Sequence, residues 1–201
     1  MGIQFWFSIG STYTYLTVTR LPAIEKATGI EFEWYPFSIR AIMKEMNNIP
    51  FQKKPVKTRH MWRDIERRAQ IYGMKPHVPA PYPLEQFDMA NRVAVHAMDK
   101  DWLRDYVIVT YRKWFEDGEP AGSEPNLTTT LREIGQDPET VIAAANSPET
   151  EAAYQAMTDR ARAKDIFGVP SFVVGDELFW GDDRLEDAIA WHRHGHLGQD
   201  R

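Results

Sequence analysis

The sequence predicts an α/β fold in which a long all-helical block interrupts a small sheet. Three observations carry this reading. The first 36 residues change period from strand to helix and back to strand. No strand-like run follows until Ser171. Two short strands and a closing helix then complete the chain, giving the order β-α-β, helices, β-β-α.

The elements follow in order. Ile3–Ile9 is rich in β-branched and aromatic residues, as a buried strand should be. Gly10 punctuates, and from Tyr13 the apolar residues take helical spacing, which predicts a helix from Thr12 to about Thr28. Pro22 should kink or restart that helix, and Gly29 ends it. Ile30, Phe32 and Trp34 alternate with Glu31, Glu33 and Tyr35, so a half-buried strand runs up to Pro36. Joining these two strands by a helix makes them a parallel pair. Within the helical block we expect helices at Ile39–Met46, Arg59–Tyr72, Leu84–Met98 and Asp101–Glu116. Further helices follow from Asn126 as a cap, from Asp137-Pro138 and from Ser147-Pro148. Asn47 to Lys57 reads as a proline-punctuated basic loop, and Lys75–Pro83, with four prolines, as an extended strap. Ser171–Val174 and Glu177–Trp180 are strands joined at Gly175-Asp176, and Arg184–His194 is the last helix.

Composition narrows the function. The chain has 201 residues, 43% of them hydrophobic, and a formal net charge of −5. No basic patch dominates, so nucleic acid is not an expected partner. Cysteine is absent, which excludes disulfides, thiolate metal sites and a redox centre of the chain's own. No apolar run approaches the ~20 residues of a membrane span, and no basic leader precedes the first strand. We therefore expect a soluble, cytoplasmic protein that does not enter the membrane. His192, His194 and His196 alternate, but on a fraying helix end, so no metal site is expected.

Two stretches carry chemistry. Ser11 stands where the first strand becomes the first helix. It can serve as an ordinary N-cap, or its hydroxyl can stabilise a thiolate drawn to the positive helix terminus. The second stretch is Phe167-Gly168-Val169-Pro170-Ser171. A proline directly before a strand is unusual. Either it is a trans proline at a strand start, or a cis Val169–Pro170 bond leaves the Val169 main chain free to pair with an extended peptide.

Taken with the helical insertion between them, Ser11 and the run Phe167-Gly-Val-Pro-Ser-Phe-Val-Val-Gly-Asp-Glu-Leu-Phe-Trp-Gly-Asp-Asp-Arg-Leu-Glu186 resemble the 2-hydroxychromene-2-carboxylate isomerases. These are similar to kappa-class glutathione transferases within the DsbA-like thioredoxin group. The resemblance covers nearly the whole chain. It implies a thioredoxin-like domain formed by residues 1–38 and 165–201, with residues 39–164 as the helical insertion. This chain departs from the family in carrying Thr12 where a proline is usual, and Ser8 where an aspartate is frequent.

The resemblance implies glutathione as cofactor, a small-molecule substrate and a homodimer. It makes Ser11 the catalytic residue, bonded to the glutathione sulfur. It assigns Asn48 and Lys57 to the polar ends of the tripeptide, Val169 and Pro170 to its cysteinyl part, and Asp182 and Asp183 to its ammonium group. The residues alone leave each assignment a plain alternative: Lys57 as a solvated lysine, and Asp182 and Asp183 as helix caps. Met43, Met46 and Trp62 are candidates for an apolar substrate wall. The activity implied is a glutathione-dependent cis-trans isomerisation of a conjugated intermediate of aromatic catabolism. A kappa-like transferase or peroxidase, and a non-catalytic thiol-binding module of thioredoxin fold, are the alternatives.

Overall fold

A computed structural model describes residues 2–51 and 53–198; Gln52 of the proline-punctuated loop, Met1 and residues 199–201 lie outside the described residues. Four strands form one sheet: β1 (Ile3–Phe7), β2 (Phe32–Pro36), β3 (Ser171–Val174) and β4 (Glu177–Trp180), in the spatial order β2-β1-β3-β4. β1 and β2 run parallel, with Ile3 opposite Phe32 and Phe7 opposite Pro36. β1 and β3 run antiparallel, with Gln4 opposite Val173 and Trp6 opposite Ser171. The first and third strands thus meet in one sheet, as expected. The helices are α1 (Thr12–Thr28), α2 (Ile39–Glu45), α3 (Pro55–Ile71), α4 (Phe87–His96), α5 (Leu103–Arg112), α6 (Asn126–Glu133), α7 (Pro138–Ala145), α8 (Pro148–Arg162) and α9 (Leu185–His194). Those from α2 to α8 all fall between β2 and β3. This is the α/β arrangement interrupted by a helical insertion that the sequence predicts.

β1 is central, and Ile3, Phe5, Trp6 and Phe7 are fully buried, as a strand covered on both faces requires. Phe5 stacks on Phe172 of β3 at 5.6 Å, and Trp6 on Tyr35 of β2 at 4.8 Å. The insertion is fastened to the sheet by Arg104 of α5, which donates to the Phe32 carbonyl at 2.7 Å and grips both oxygens of Glu25.

Several boundaries differ from the sequence reading. β1 ends at Phe7 rather than Ile9. The Ser8 hydroxyl donates to the Phe37 carbonyl, and the Ile9 N–H goes to Asn91 of α4, so neither residue stays in the ladder. β2 begins at Phe32 rather than Ile30 and closes at Pro36, as expected; it is an edge strand, where a missing donor costs little. α1 does not restart at Pro22, an exposed residue, and continues to Thr28, where Gly29 ends it as expected. α3 begins at Pro55, a suitable first helical residue, so Lys57 sits on its first turn rather than in a loop. Asn126 does not cap α6. It is buried, and its amide donates to the carbonyls of Thr110 and Glu119. The expected helix 101–116 is α5 followed by a five-residue π-helical segment, Lys113–Asp117, which places Phe115 on Tyr15 of α1 with ring centroids 4.2 Å apart.

Candidate active site

The carboxyl ends of the parallel strands β1 and β2 open toward Ser11 and α2, the end of a sheet where α/β proteins place ligands. Ser11 has extended backbone angles (φ −82°, ψ 122°), and its N–H bonds the Ser8 carbonyl at 3.1 Å. Its hydroxyl accepts from no N–H of α1. It donates instead to the Val169 carbonyl at 3.1 Å, across the sheet from the far end of the chain. Of the two readings of the Val169–Pro170 bond, the structure takes the cis form.

That loop is held from both sides. The Ser171 hydroxyl donates to the Gly168 carbonyl at 2.8 Å, and the Gly181 N–H to the Pro170 carbonyl at 2.9 Å. The Trp180 indole lies so close to Gly168 that a Cβ there would meet Nε1 at 2.2 Å. Any side chain there would have to push the indole aside. The Val169 carbonyl therefore faces Ser11 from a fixed frame.

The joint before α1 is fixed by residues from the insertion. Asn91 is fully buried. Its oxygen accepts from the Ile9 N–H at 2.7 Å, and its amide donates to the carbonyls of Ile9 and Phe87, both at 2.8 Å. The Tyr111 hydroxyl of α5 points between the carbonyls of Ser8 and Ser11, 3.1 Å from each. Burial pushes the Tyr111 phenol well above the usual tyrosine range, so it stays a donor. Gly10 has φ +125°, and a Cβ there would meet the Phe87 ring at 2.5 Å. The joint thus needs glycine for both its backbone and its neighbour. Sequence reasoning missed Asn91 and Tyr111. The one sequence signal was a lone polar residue four places after Phe87 on the apolar face of α4.

Thr12 is buried and its hydroxyl lies 3.1 Å from the Met61 sulfur of α3. Where the family usually has a proline, this chain thus gains a side-chain contact to the insertion. Tyr13 donates to Asp64 at 3.0 Å. Burial first, then Asp64, raise its pKa, with a smaller push from Asp183.

The paired aspartates separate. Asp182 is buried, with Arg20 at 2.9 Å on one oxygen and Arg68 at 2.6 Å on the other; Thr17 donates to it as well. Burial works against the charge of Arg20, but Asp182 and Glu186 outweigh it and raise its pKa. Asp183 is exposed, with Arg184 at 3.8 Å. Asn48 is exposed, and its N–H bonds the Met43 carbonyl. Lys57 is exposed, its ammonium 5.7 Å from the Phe51 ring centroid. From there a ladder of rings leads to α1: Phe51 to Tyr82 (6.2 Å), Tyr82 to Trp62 (6.0 Å), Trp62 to Phe115 (6.2 Å) and Phe115 to Tyr15. Ser11 and Val169 are brought into contact, Lys57 stands at the outer end of this ladder, and Asn48 is joined to neither. Trp62 and Met43 are partly buried against the core, whereas Met46 is exposed. A cavity of about 960 Å³ lies elsewhere, beside the second half of α1, lined by Ala23, Ala27, Tyr72, Met74 and Ile189; Ser11 is not on its wall.

The model of the DSBA-like thioredoxin domain matches residues 2–189. The chain belongs to that family. Within the DSBA-like proteins it is similar to a 2-hydroxychromene-2-carboxylate isomerase of Sphingobium xenophagum, 27% identical over 92% of this chain and 94% of that one. It is also similar to a kappa-class protein of Caenorhabditis elegans, glutathione S-transferase kappa 2, 21% identical over 91% of this chain and 88% of that one. The solved structure of a 2-hydroxychromene-2-carboxylate isomerase superposes with a TM-score of 0.84, at 25% identity, over 94% of this chain and 95% of the other. The resemblance read from the motifs is borne out. Unlike a dithiol member of the DSBA-like group, this chain has no cysteine of its own, and a serine holds the strand-to-helix joint.

Proposed function

We propose that the protein is a glutathione-dependent isomerase acting on a conjugated, aromatic-derived small molecule. The observation that carries this reading is the Ser11 hydroxyl, which caps nothing and instead faces the Val169 carbonyl beside a cis proline. The residues fit a thiol peptide. The Val169 carbonyl is held by the Ser11 hydroxyl and can pass to a peptide when that hydroxyl turns away, and that donor stands at the positive end of a helix.

Bound glutathione would supply a thiolate that adds reversibly to a conjugated carbon, so that a double bond rotates with no net redox change. The chain's own part is to hold that sulfur charged, because a free thiol pKa of about 8.5 leaves little thiolate at neutral pH. Ser11 has one proton to donate, now spent on Val169. Turning it toward a sulfur anion leaves the carbonyl without its donor, and an amide N–H of the peptide ligand restores one. The exchange strands no buried acceptor. At the other end of the ligand, Asp183 is the carboxylate open to an ammonium group, since both oxygens of Asp182 already face arginines. Pro170 shapes the loop that presents Val169, and Asn48 and Lys57 serve the outer carboxylate. The same reading takes the protein as a cytoplasmic homodimer.

The test is incubation with 2-hydroxychromene-2-carboxylate, with and without glutathione, following its absorbance. Turnover that requires glutathione supports the isomerase. The similarity to a kappa-class transferase favours a second reading: conjugation of electrophiles without isomerisation in the same assay would support that one. Calorimetry showing no heat at several millimolar glutathione would remove both.

A further inference from the structure

Arg40 is the second residue of α2 and follows the carboxyl end of β2, as Ser11 follows that of β1. The two therefore stand at the same end of the parallel pair. The Arg40 side chain is half-buried, and no carboxylate lies within ion-pair distance of it among the described residues. Other partly buried arginines of this chain do have such a partner: Arg20, Arg68, Arg92 and Arg162 each hold an acid. A half-buried guanidinium with no carboxylate beside it has donors to offer an anion.

The group is nonetheless held in place. One nitrogen donates to the Leu84 carbonyl at 2.7 Å, and the guanidinium carbon lies 4.1 Å above the Phe87 ring. Phe87 is the ring that packs against Gly10 at the joint. Leu84 follows Tyr82 by two residues, so its bond brings Arg40 to the Tyr82 segment, where the Arg40 charge opposes the rise that burial gives the phenol. Tyr82 is half-buried, and its hydroxyl makes no hydrogen bond among the described residues. It is anchored through its neighbour, because Trp114 donates to the Pro81 carbonyl at 2.7 Å. Its ring meets Trp62 and Phe51 nearly edge-on, at 85° and 79°. An unpaired cation, a free phenol and a wall of rings are thus linked to the joint at Gly10 through Phe87.

We propose that Arg40 and Tyr82 bind the carboxylate of the acceptor substrate, with Trp62 and Phe51 covering its planar conjugated body. This deepens the isomerase reading and rests on it for the reaction, but the carboxylate subsite can be measured without turnover. Guanidinium nitrogens and a phenol hydroxyl are all donors, and a carboxylate offers several acceptor positions. The flat rings suit a π-conjugated skeleton. Glutathione also has carboxylates, so the peptide and the acceptor are two sources of the same chemistry; the proposal commits to the acceptor.

The experiment titrates the whole protein by calorimetry with trans-cinnamate, with the neutral trans-cinnamamide, and separately with glutathione. Arg40→Met should weaken cinnamate binding by about tenfold or more and leave cinnamamide and glutathione unchanged. Arg40→Lys should fall between, because it keeps the charge and loses the fork. Tyr82→Phe, which leaves Arg40 intact, should weaken cinnamate binding by a few-fold and guards against an Arg40 variant that misfolds. A wild-type protein that ignores cinnamate overturns the proposal. So does equal loss of cinnamate and cinnamamide in Arg40→Met, or loss of glutathione affinity with cinnamate unchanged. Cinnamate binding through Arg40 in a protein that never binds glutathione would sustain the carboxylate subsite and sink the isomerase reading.

Discussion

Ser11 before α1 and Ser147 before α8 occupy the same place in their helices and use their hydroxyls differently. Ser147 accepts from the Thr150 N–H at 3.2 Å, three residues ahead, and Asp137 does the same for Thr140 at 2.9 Å before α7. These helix starts are held by their own neighbours. The start of α1 is held from a distance, by Asn91 some 82 residues away and Tyr111 100 residues away. The Ser11 hydroxyl makes no cap bond and turns to Val169, 158 residues on. A local cap fixes a helix cheaply but occupies the side chain. Long-range clamping leaves that side chain free for a ligand.

The largest effect should come from removing the clamp. Asn91→Leu leaves the buried Ile9 N–H and Ile9 carbonyl without partners, and should lower stability by roughly 2–4 kcal/mol in denaturant unfolding. A loss below what a single cap gives would show that Asn91 does not hold the joint. Next is Ser11→Ala. It should lower turnover about tenfold to over a hundredfold, the equivalent of a charge-assisted hydrogen bond of ~1.5–3 kcal/mol to sulfur. The pKa of bound glutathione, read from thiolate absorbance, should rise in the same variant. An unshifted thiol pKa in a variant that still binds glutathione would take Ser11 out of catalysis and make the two serines alike after all.

Ser147→Ala should do the reverse: about 1 kcal/mol of stability lost, with turnover per folded molecule unchanged. The smallest effect sharpens the local side of the comparison. The Thr140 hydroxyl, then its N–H, hold the Asp137 carboxyl below its ordinary value. A group whose pKa is depressed on folding stabilises above its unfolded pKa, and loses that stabilisation as pH falls through the folded value. The melting-temperature gap between wild type and Asp137→Asn should therefore be constant above about pH 4 and narrow below it. A gap that does not change with pH would mean the carboxylate charge plays no part in the cap.

What was legible follows from range. Periods of two and of 3.6 residues, the prolines that open α7 and α8, and the caps Asp137 and Ser147 all act within a few residues, so the sequence displays them directly. The same holds for the order of strands and the long helical insertion, and the Gly-Val-Pro run marked a second chemical centre far from Ser11. The errors lie where a distant partner overrides the local pattern. Ile9 reads as strand, but its N–H is taken by Asn91. Asn126 reads as a cap, but its amide ties two remote carbonyls. Asp182 and Asp183 read as equals, yet Arg20 and Arg68 bury one and leave the other in solvent.

By itself the sequence determined the fold class and the absence of a thiol in the chain, and it marked Ser11 and Val169 as residues to bring together. Only the tertiary structure decided what the Ser11 hydroxyl does, which aspartate is open, and that Arg40 stands unpaired beside a wall of rings. Each of those depends on which groups compete for one proton or one charge. Competitors 80 to 160 residues apart are chosen by packing, and no local spacing records that choice.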